Sequence, residues 1–127
     1  MAPKPKITLS KDVYTTLSRL LEEVPEDIIT DQLVDELERA KLVAPEKLPD
    51  DVVTLHSTVT FTVQSTGKSF TYTLVYPTEL DDTSRKLSIL SPVGSAIIGL
   101  KRGQEIDWPI SNTKRTTIAV DRVQPPQ

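Results

Sequence analysis

Apolar residues at Val13, Leu17, Leu20, Leu21 and Val24 recur at the spacing of one helix face, with polar residues between them. Ser10 stands where an N-cap belongs, and Leu9 is placed to staple onto Tyr14. Pro25 ends this first helix, and Thr30 is the next cap in line. A second helix is predicted from Asp31, with Leu33, Val34, Leu37 and Ala40 on one side, stopping before "VAPEKLP". Two short helices joined by a Pro-containing connection predict an antiparallel helical hairpin with its acids at the tip.

Beyond Pro49 the period drops to two. Val59, Phe61 and Val63 alternate with Thr58, Thr60 and Thr62, and past "QSTGKS" Phe70, Tyr72, Leu74 and Tyr76 alternate with Thr71 and Thr73. That pattern predicts a β-hairpin turning near Gly67. "ELDDTSRK" is a polar loop, "LSIL" a short strand, and "SPVGSAIIG" one or two helical turns; "QEIDWPI" and "TTIAVDRV" complete the set. The fold class is α+β: a helical hairpin, then a mostly antiparallel sheet of about five or six strands with one short helix. The expected organisation is a tail over residues 1–8, the hairpin over 9–44 and the sheet domain over 45–127.

A length of 127 residues suits one ordinary domain with its own core. Charge adds an asymmetry that the net value of -3 conceals. Between Arg19 and Arg39 lie eight acids and no Lys or Arg, so the rest of the chain is +5. Such a bipolar field steers encounter with a charged partner more than it dictates fold. No apolar run approaches the roughly 20 residues that a bilayer-spanning helix needs, so no membrane partner is expected. "MAPKPK" has no apolar signal core, and together with the absence of cysteine this points to the cytoplasm.

Catalytic chemistry finds few residues to build on. His56 is the only imidazole and there is no Cys, so a zinc site rich in nitrogen or sulfur is not expected, and no Ser/His/Asp arrangement is legible. Gly94, Gly99 and Gly103 do not carry the spacing of a phosphate-cradling loop. No catalytic residue, metal or cofactor is therefore assigned. The acids Glu23, Glu26 and Asp27 at the hairpin tip could meet a divalent metal in another protein; acids near a helix N-terminus are also favoured by the helix dipole alone. Trp108, before Pro109, reads as a core aromatic at a strand end or as a surface for ligand stacking. Bases such as Lys68, Arg85, Lys101 and Arg122 are scattered without interleaved aromatics, a pattern of solvated surface that leaves nonspecific DNA or RNA contact open.

The run "LSILSPVGSAIIGLKRGQEI", taken with "DELERAKLVAPEKLPDDVVTLHSTVTF" and "TYTLVYPTE", resembles the C-terminal domain of bacterial Gre transcript-cleavage factors. The short hairpin is most similar to that family's branch named for regulation of nucleoside diphosphate kinase. The resemblance runs from about Leu37 to Val123 and is carried in order by Leu37, Arg39, Ala40, Pro45, Pro49, Val52, Val53, Ser57, Val59, Leu74, Val75, Ser91, Pro92, Gly94, Gly99 and Gly103. It implies an FKBP-like domain docking on RNA polymerase at the rim of the secondary channel, with Ser91, Pro92 and Gly94 as docking residues. It also implies a hairpin too short to carry acids to the catalytic magnesium. The expected function is thus a non-enzymatic regulator competing with longer-fingered factors. The alternatives are an FKBP-like peptide-binding or isomerase module and a generic protein-interaction domain. Two departures from the family pattern stand out: Leu90 where Asn or Asp commonly precedes Ser-Pro, and "ISNTK" in place of a Pro-Gly-Gly turn.

Overall fold

The structure, a computed structural model, describes residues 6–80, 85–109 and 113–126. The first helix, α1 (Lys11–Glu23), follows an extended Ser10 and ends at an extended Val24 next to Pro25. Its buried residues are Val13 and Leu17, on the predicted stripe, with Tyr14, Leu20 and Leu21 packed half-buried beside them. The second helix, α2 (Ile28–Arg39), starts earlier than expected. Its cap is Asp27, and Thr30 is not: the Thr30 N–H donates to Asp27 Oδ1 (2.9 Å) and the Asp27 N–H donates to Thr30 Oγ1 (2.8 Å). This is a reciprocal capping box, in which Asp27 Oδ1 satisfies the orphan Thr30 N–H and Thr30 Oγ1 the Asp27 N–H. The inward face of α2 also departs from expectation, because Val34 is exposed while Leu33, Glu36 and Leu37 are buried.

A second departure lies before α1. Thr8–Ser10 forms strand β1, which pairs in parallel with β2 (Lys41–Val43). Ile7 and Thr8 therefore do not belong to a loose tail: Ile7 is only 1% exposed, and the Thr8 N–H donates to the Gly99 carbonyl (3.1 Å). Gly99 makes the approach possible, since a Cβ there would stand 2.8 Å from Ile7 Cβ, and its φ of +79° suits glycine. The two helices are thus bracketed by strands that pair with each other.

The main sheet is five-stranded, in the order β5-β4-β3-β7-β6. β3 (Thr58–Val63) and β4 (Lys68–Val75) form the predicted hairpin, with Phe61 opposite Phe70. β6 (Glu105–Pro109) and β7 (Arg115–Gln124) are antiparallel to their neighbours, whereas β5 (Lys86–Ser88) runs parallel to β4. Alternation sorts the two faces. Val59, Phe61, Leu74, Ile106, Trp108, Ile118 and Val120 are buried inward, while hydroxyl pairs Thr58–Thr73, Thr60–Thr71 and Thr62–Ser69 bridge β3 and β4 at 2.8–2.9 Å on the other face. Trp108 has no exposed surface, so its ring packs the core and cannot stack on a ligand.

A short helix, α3 (Pro92–Ile97), packs against α2 on one side and against β6 and β7 on the other. Leu17, Leu33 and Leu37 of the two N-terminal helices belong to the same core cluster as Val59, Trp108 and Ile118 of the sheet. Helices and sheet therefore share one interior.

Candidate functional site

The "SILSPVG" segment folds as a strand, a turn and a helix start, and its side chains make that turn rigid. Ser91 is the N-cap of α3, where its Oγ accepts from the Gly94 N–H (3.1 Å) and donates to the Ser88 carbonyl (2.6 Å). Pro92 occupies the first helical position, where its missing N–H costs nothing. Ser95 Oγ then donates to the carbonyls of Ile89 (2.8 Å) and Ser91 (2.9 Å). Gly94 is buried, and a Cβ there would lie 2.1 Å from the Ser88 carbonyl oxygen. The structure therefore brings Ser91, Pro92 and Gly94 together at one helix start but differentiates them. Ser91 and Pro92 are half-exposed, whereas Gly94 acts from below by allowing the helix to seat.

Val93 on this same turn helps line a shallow apolar groove of about 230 Å³ with Phe61, Val63, Phe70, Tyr72 and Leu87. The three rings stand 5.8–6.1 Å apart along the sheet and are tilted or stacked. Strand alternation puts these aromatics on one face; Phe61 is buried in the core, while Phe70 and Tyr72 pack half-buried against it. Leu90, at the position where the family pattern commonly carries Asn or Asp, packs half-buried against the core, and its N–H donates to Ser88 Oγ (3.0 Å). The other departure, at "ISNTK", begins with residues 110–112, outside the described residues.

The hairpin acids lie elsewhere. Glu23 ends α1 and borders a groove of about 320 Å³ shared with Thr16, Leu20, Tyr76 and Pro77, while Glu26 and Asp27 lie in the exposed connection to α2. Asp27 is engaged in the capping box. Glu36, counted with the acidic stretch, has no exposed surface and lies 3.5 Å from an Arg39 guanidinium nitrogen. Among the described residues, no group of three or more acids and histidines is arranged to hold a metal ion.

His56 occupies a second polar feature that sequence alone did not reveal. It sits in the turn before β3 with φ of +74°, a conformation that L-residues seldom adopt. Its Nε2 is 2.9 Å from both carboxylate oxygens of Glu79, and its ring meets Tyr76 edge-on at 6.1 Å. Glu79 belongs to the 3-10 turn Pro77–Glu79, where the Tyr76 backbone N–H donates to its Oε1 (3.0 Å). That backbone hydrogen bond, followed by the one from His56, holds the Glu79 carboxyl below its ordinary value of 4.5. Burial pushes the Tyr76 phenol up; a hydrogen bond with Thr16 opposes this, and the Asp12 and Glu79 carboxylates reinforce it. No helix among the described residues is long and apolar enough to cross a membrane.

Residues 48–124 match the family described as "Transcription elongation factor, GreA/GreB, C-term". The chain is 41% identical over 92 residues to the regulator of nucleoside diphosphate kinase of Escherichia coli strain K12, a span covering 72% of this chain and 68% of that one. It is 33% identical over 76 residues to transcription elongation factor GreA of Azorhizobium caulinodans, which covers 60% of this chain and 48% of the relative. Among solved structures, the prokaryotic transcription elongation factor GreA/GreB from Nitrosomonas europaea superposes with a TM-score of 0.75 and 43% identity, over 95% of this chain and 99% of that one.

Proposed function

Since this chain belongs to the GreA/GreB C-terminal-domain family, we propose that it regulates transcription by binding RNA polymerase at the rim of the secondary channel and competing there with longer-fingered factors. The docking element is the half-exposed turn carrying Ser91 and Pro92, held in shape by the buried Gly94, on an FKBP-like sheet domain. The two N-terminal helices form the stunted finger of the domain. The observation that carries this reading is the length of that finger. α1 has 13 residues, so it extends about 20 Å at 1.5 Å per residue. Most of that length is spent against the shared core, through Val13, Leu17 and the half-buried Leu20 and Leu21. Only the last turn and residues 24–27 extend past it, too little to deliver an acid to a distant metal centre.

On this reading the protein occupies the polymerase without stimulating transcript cleavage, and it needs no catalytic residue or cofactor of its own. An effect on nucleoside diphosphate kinase, suggested by the relative's name, then follows from transcription and not from contact with the enzyme. The bipolar charge supports the docking geometry, because the acidic helices and the basic sheet surface address differently charged parts of a large partner. Nonspecific DNA or RNA contact through Arg85, Lys101 or Arg122 is secondary. The test is competition in vitro: purified protein should displace a Gre factor from polymerase and lower cleavage of a stalled transcript. Cleavage stimulation by this protein alone, or no binding at micromolar concentration, refutes the proposal. The groove beside Val93 favours one second reading, a peptide-binding or isomerase module. Accelerated isomerisation of a short prolyl peptide would support that reading.

A further inference from the structure

Glu36 is the only acid among the described residues with no exposed surface, and it lies on the face of α2 that points inward with Leu33 and Leu37. Apolar contacts specify one packing arrangement less sharply than a buried polar group does, since cores lose uniqueness before they lose stability when hydrophobic groups are exchanged. A buried carboxylate is more demanding. Its charge and lone pairs are accommodated in one arrangement and left uncompensated in others. Arg39, one turn along the same helix, lies 3.5 Å away with its side chain 27% exposed, so the pair spans from the interior to the helix surface. α2 packs against α1 and against α3, and the start of α3 carries Ser91 and Pro92.

We propose that Glu36, with Arg39, is a positioning pair that fixes the rotational setting of α2 against α3, and with it the direction of the acidic hairpin relative to the Ser91–Pro92 turn. Its consequence at the polymerase rests on the function proposed above; the positioning itself does not. A hydrophobic residue at 36 is compatible with the fold and with its stability, because a well-packed apolar group commonly replaces a buried ion pair without loss. What such a residue gives up is the selection of one setting over its neighbours.

The chain has no cysteine, which permits site-specific labelling in the full-length protein. Spin labels at Glu22→Cys on α1 and Arg102→Cys beside the sheet, both exposed positions, report the distance between hairpin and domain by pulsed electron paramagnetic resonance. The unsubstituted pair is expected to give one narrow distance. Glu36→Leu is expected to remain folded by circular dichroism and to lose that single narrow distance, through a second peak or a shifted mean. Glu36→Gln, which keeps the shape and hydrogen-bonding capacity, is expected to retain it. If Glu36→Leu does not fold, Glu36→Met is read in the same way. A single unshifted distance in the folded apolar variant overturns the proposal whatever the Gln variant shows. Because the labels are read without polymerase, a failure here is separate from a failure of the docking reading, which the competition assay detects with the unsubstituted protein.

Discussion

Replacing Gly94 by alanine tests whether the Ser91–Pro92 turn is a rigid platform. The added methyl would stand 2.1 Å from the Ser88 carbonyl oxygen and 2.9 Å from Ser91 Oγ, so α3 must move away from the β5 end by on the order of 1 Å to restore ordinary contact. That movement lengthens the Gly94-to-Ser91 cap (3.1 Å) and the Ser91-to-Ser88 bond (2.6 Å) together. Overpacking of this kind costs about 1–3 kcal/mol, and a lost cap costs about 1 kcal/mol more. The better helix propensity of alanine returns about 0.5–1 kcal/mol. The balance is a loss of about 1–3.5 kcal/mol. With an unfolding entropy of about 2.1 cal/mol/K per residue over the chain, the midpoint falls by about 4–13 °C. Differential scanning calorimetry measures this shift. A docking assay on the folded variant at low temperature should show weakened polymerase binding although residue 94 is itself enclosed. A midpoint within about 2 °C of the parent would refute the steric reasoning.

Three other predictions follow from local geometry. Asp27→Ala removes the α2 cap and should cost about 1 kcal/mol in urea unfolding, whereas Glu26→Ala next to it should stay within about 0.5 kcal/mol; equal effects would remove the capping assignment. His56→Val should cost about 1–3 kcal/mol because a β-branched residue is strained at φ of +74°, while His56→Gly should be close to neutral, and parity of the Val variant with the parent would contradict the turn geometry. Glu79 has a folded pKa below its unfolded value, so its contribution to stability is fully present above about pH 4.5 and is lost as pH falls through the folded pKa. Carbon-detected NMR titration should show the lowered value, and His56→Ala should raise it only in part because the Tyr76 N–H still donates. An ordinary Glu79 titration in the parent would disprove the interaction.

The legible parts of this fold are those in which periodicity runs long enough to separate two faces. α1 and the β3–β4 hairpin each repeat their pattern over many residues, and the facing of Val59, Phe61 and Thr60 could be read directly. Three-residue strands carry no such signal. β1 and β2 exist because Ile7 finds space over Gly99, a tertiary fact invisible in "ITLS" and "KLV". The parallel course of β5 depends likewise on where the preceding loop returns the chain. At the candidate site, "SPVGSAIIG" was legible as a helical turn and the ordered family residues located Ser91 and Pro92, whereas the capping role of Ser91 came from the structure. Glu36 and His56 were not readable, for one reason. Pattern reading assigns a charged residue to solvent and a non-glycine to negative φ; Glu36 breaks the first rule by its burial and His56 the second by its φ of +74°.

Parallel pairing of Thr8–Ser10 with Lys41–Val43 leaves the two stems of the helical excursion stitched side by side where they leave the body. Lengthening both arms by matched heptads would therefore extend the projection without asking the body to rearrange. Matched changes in the length of the two helices would alter how far their connection stands from the sheet, while the strand-paired base stays as it is.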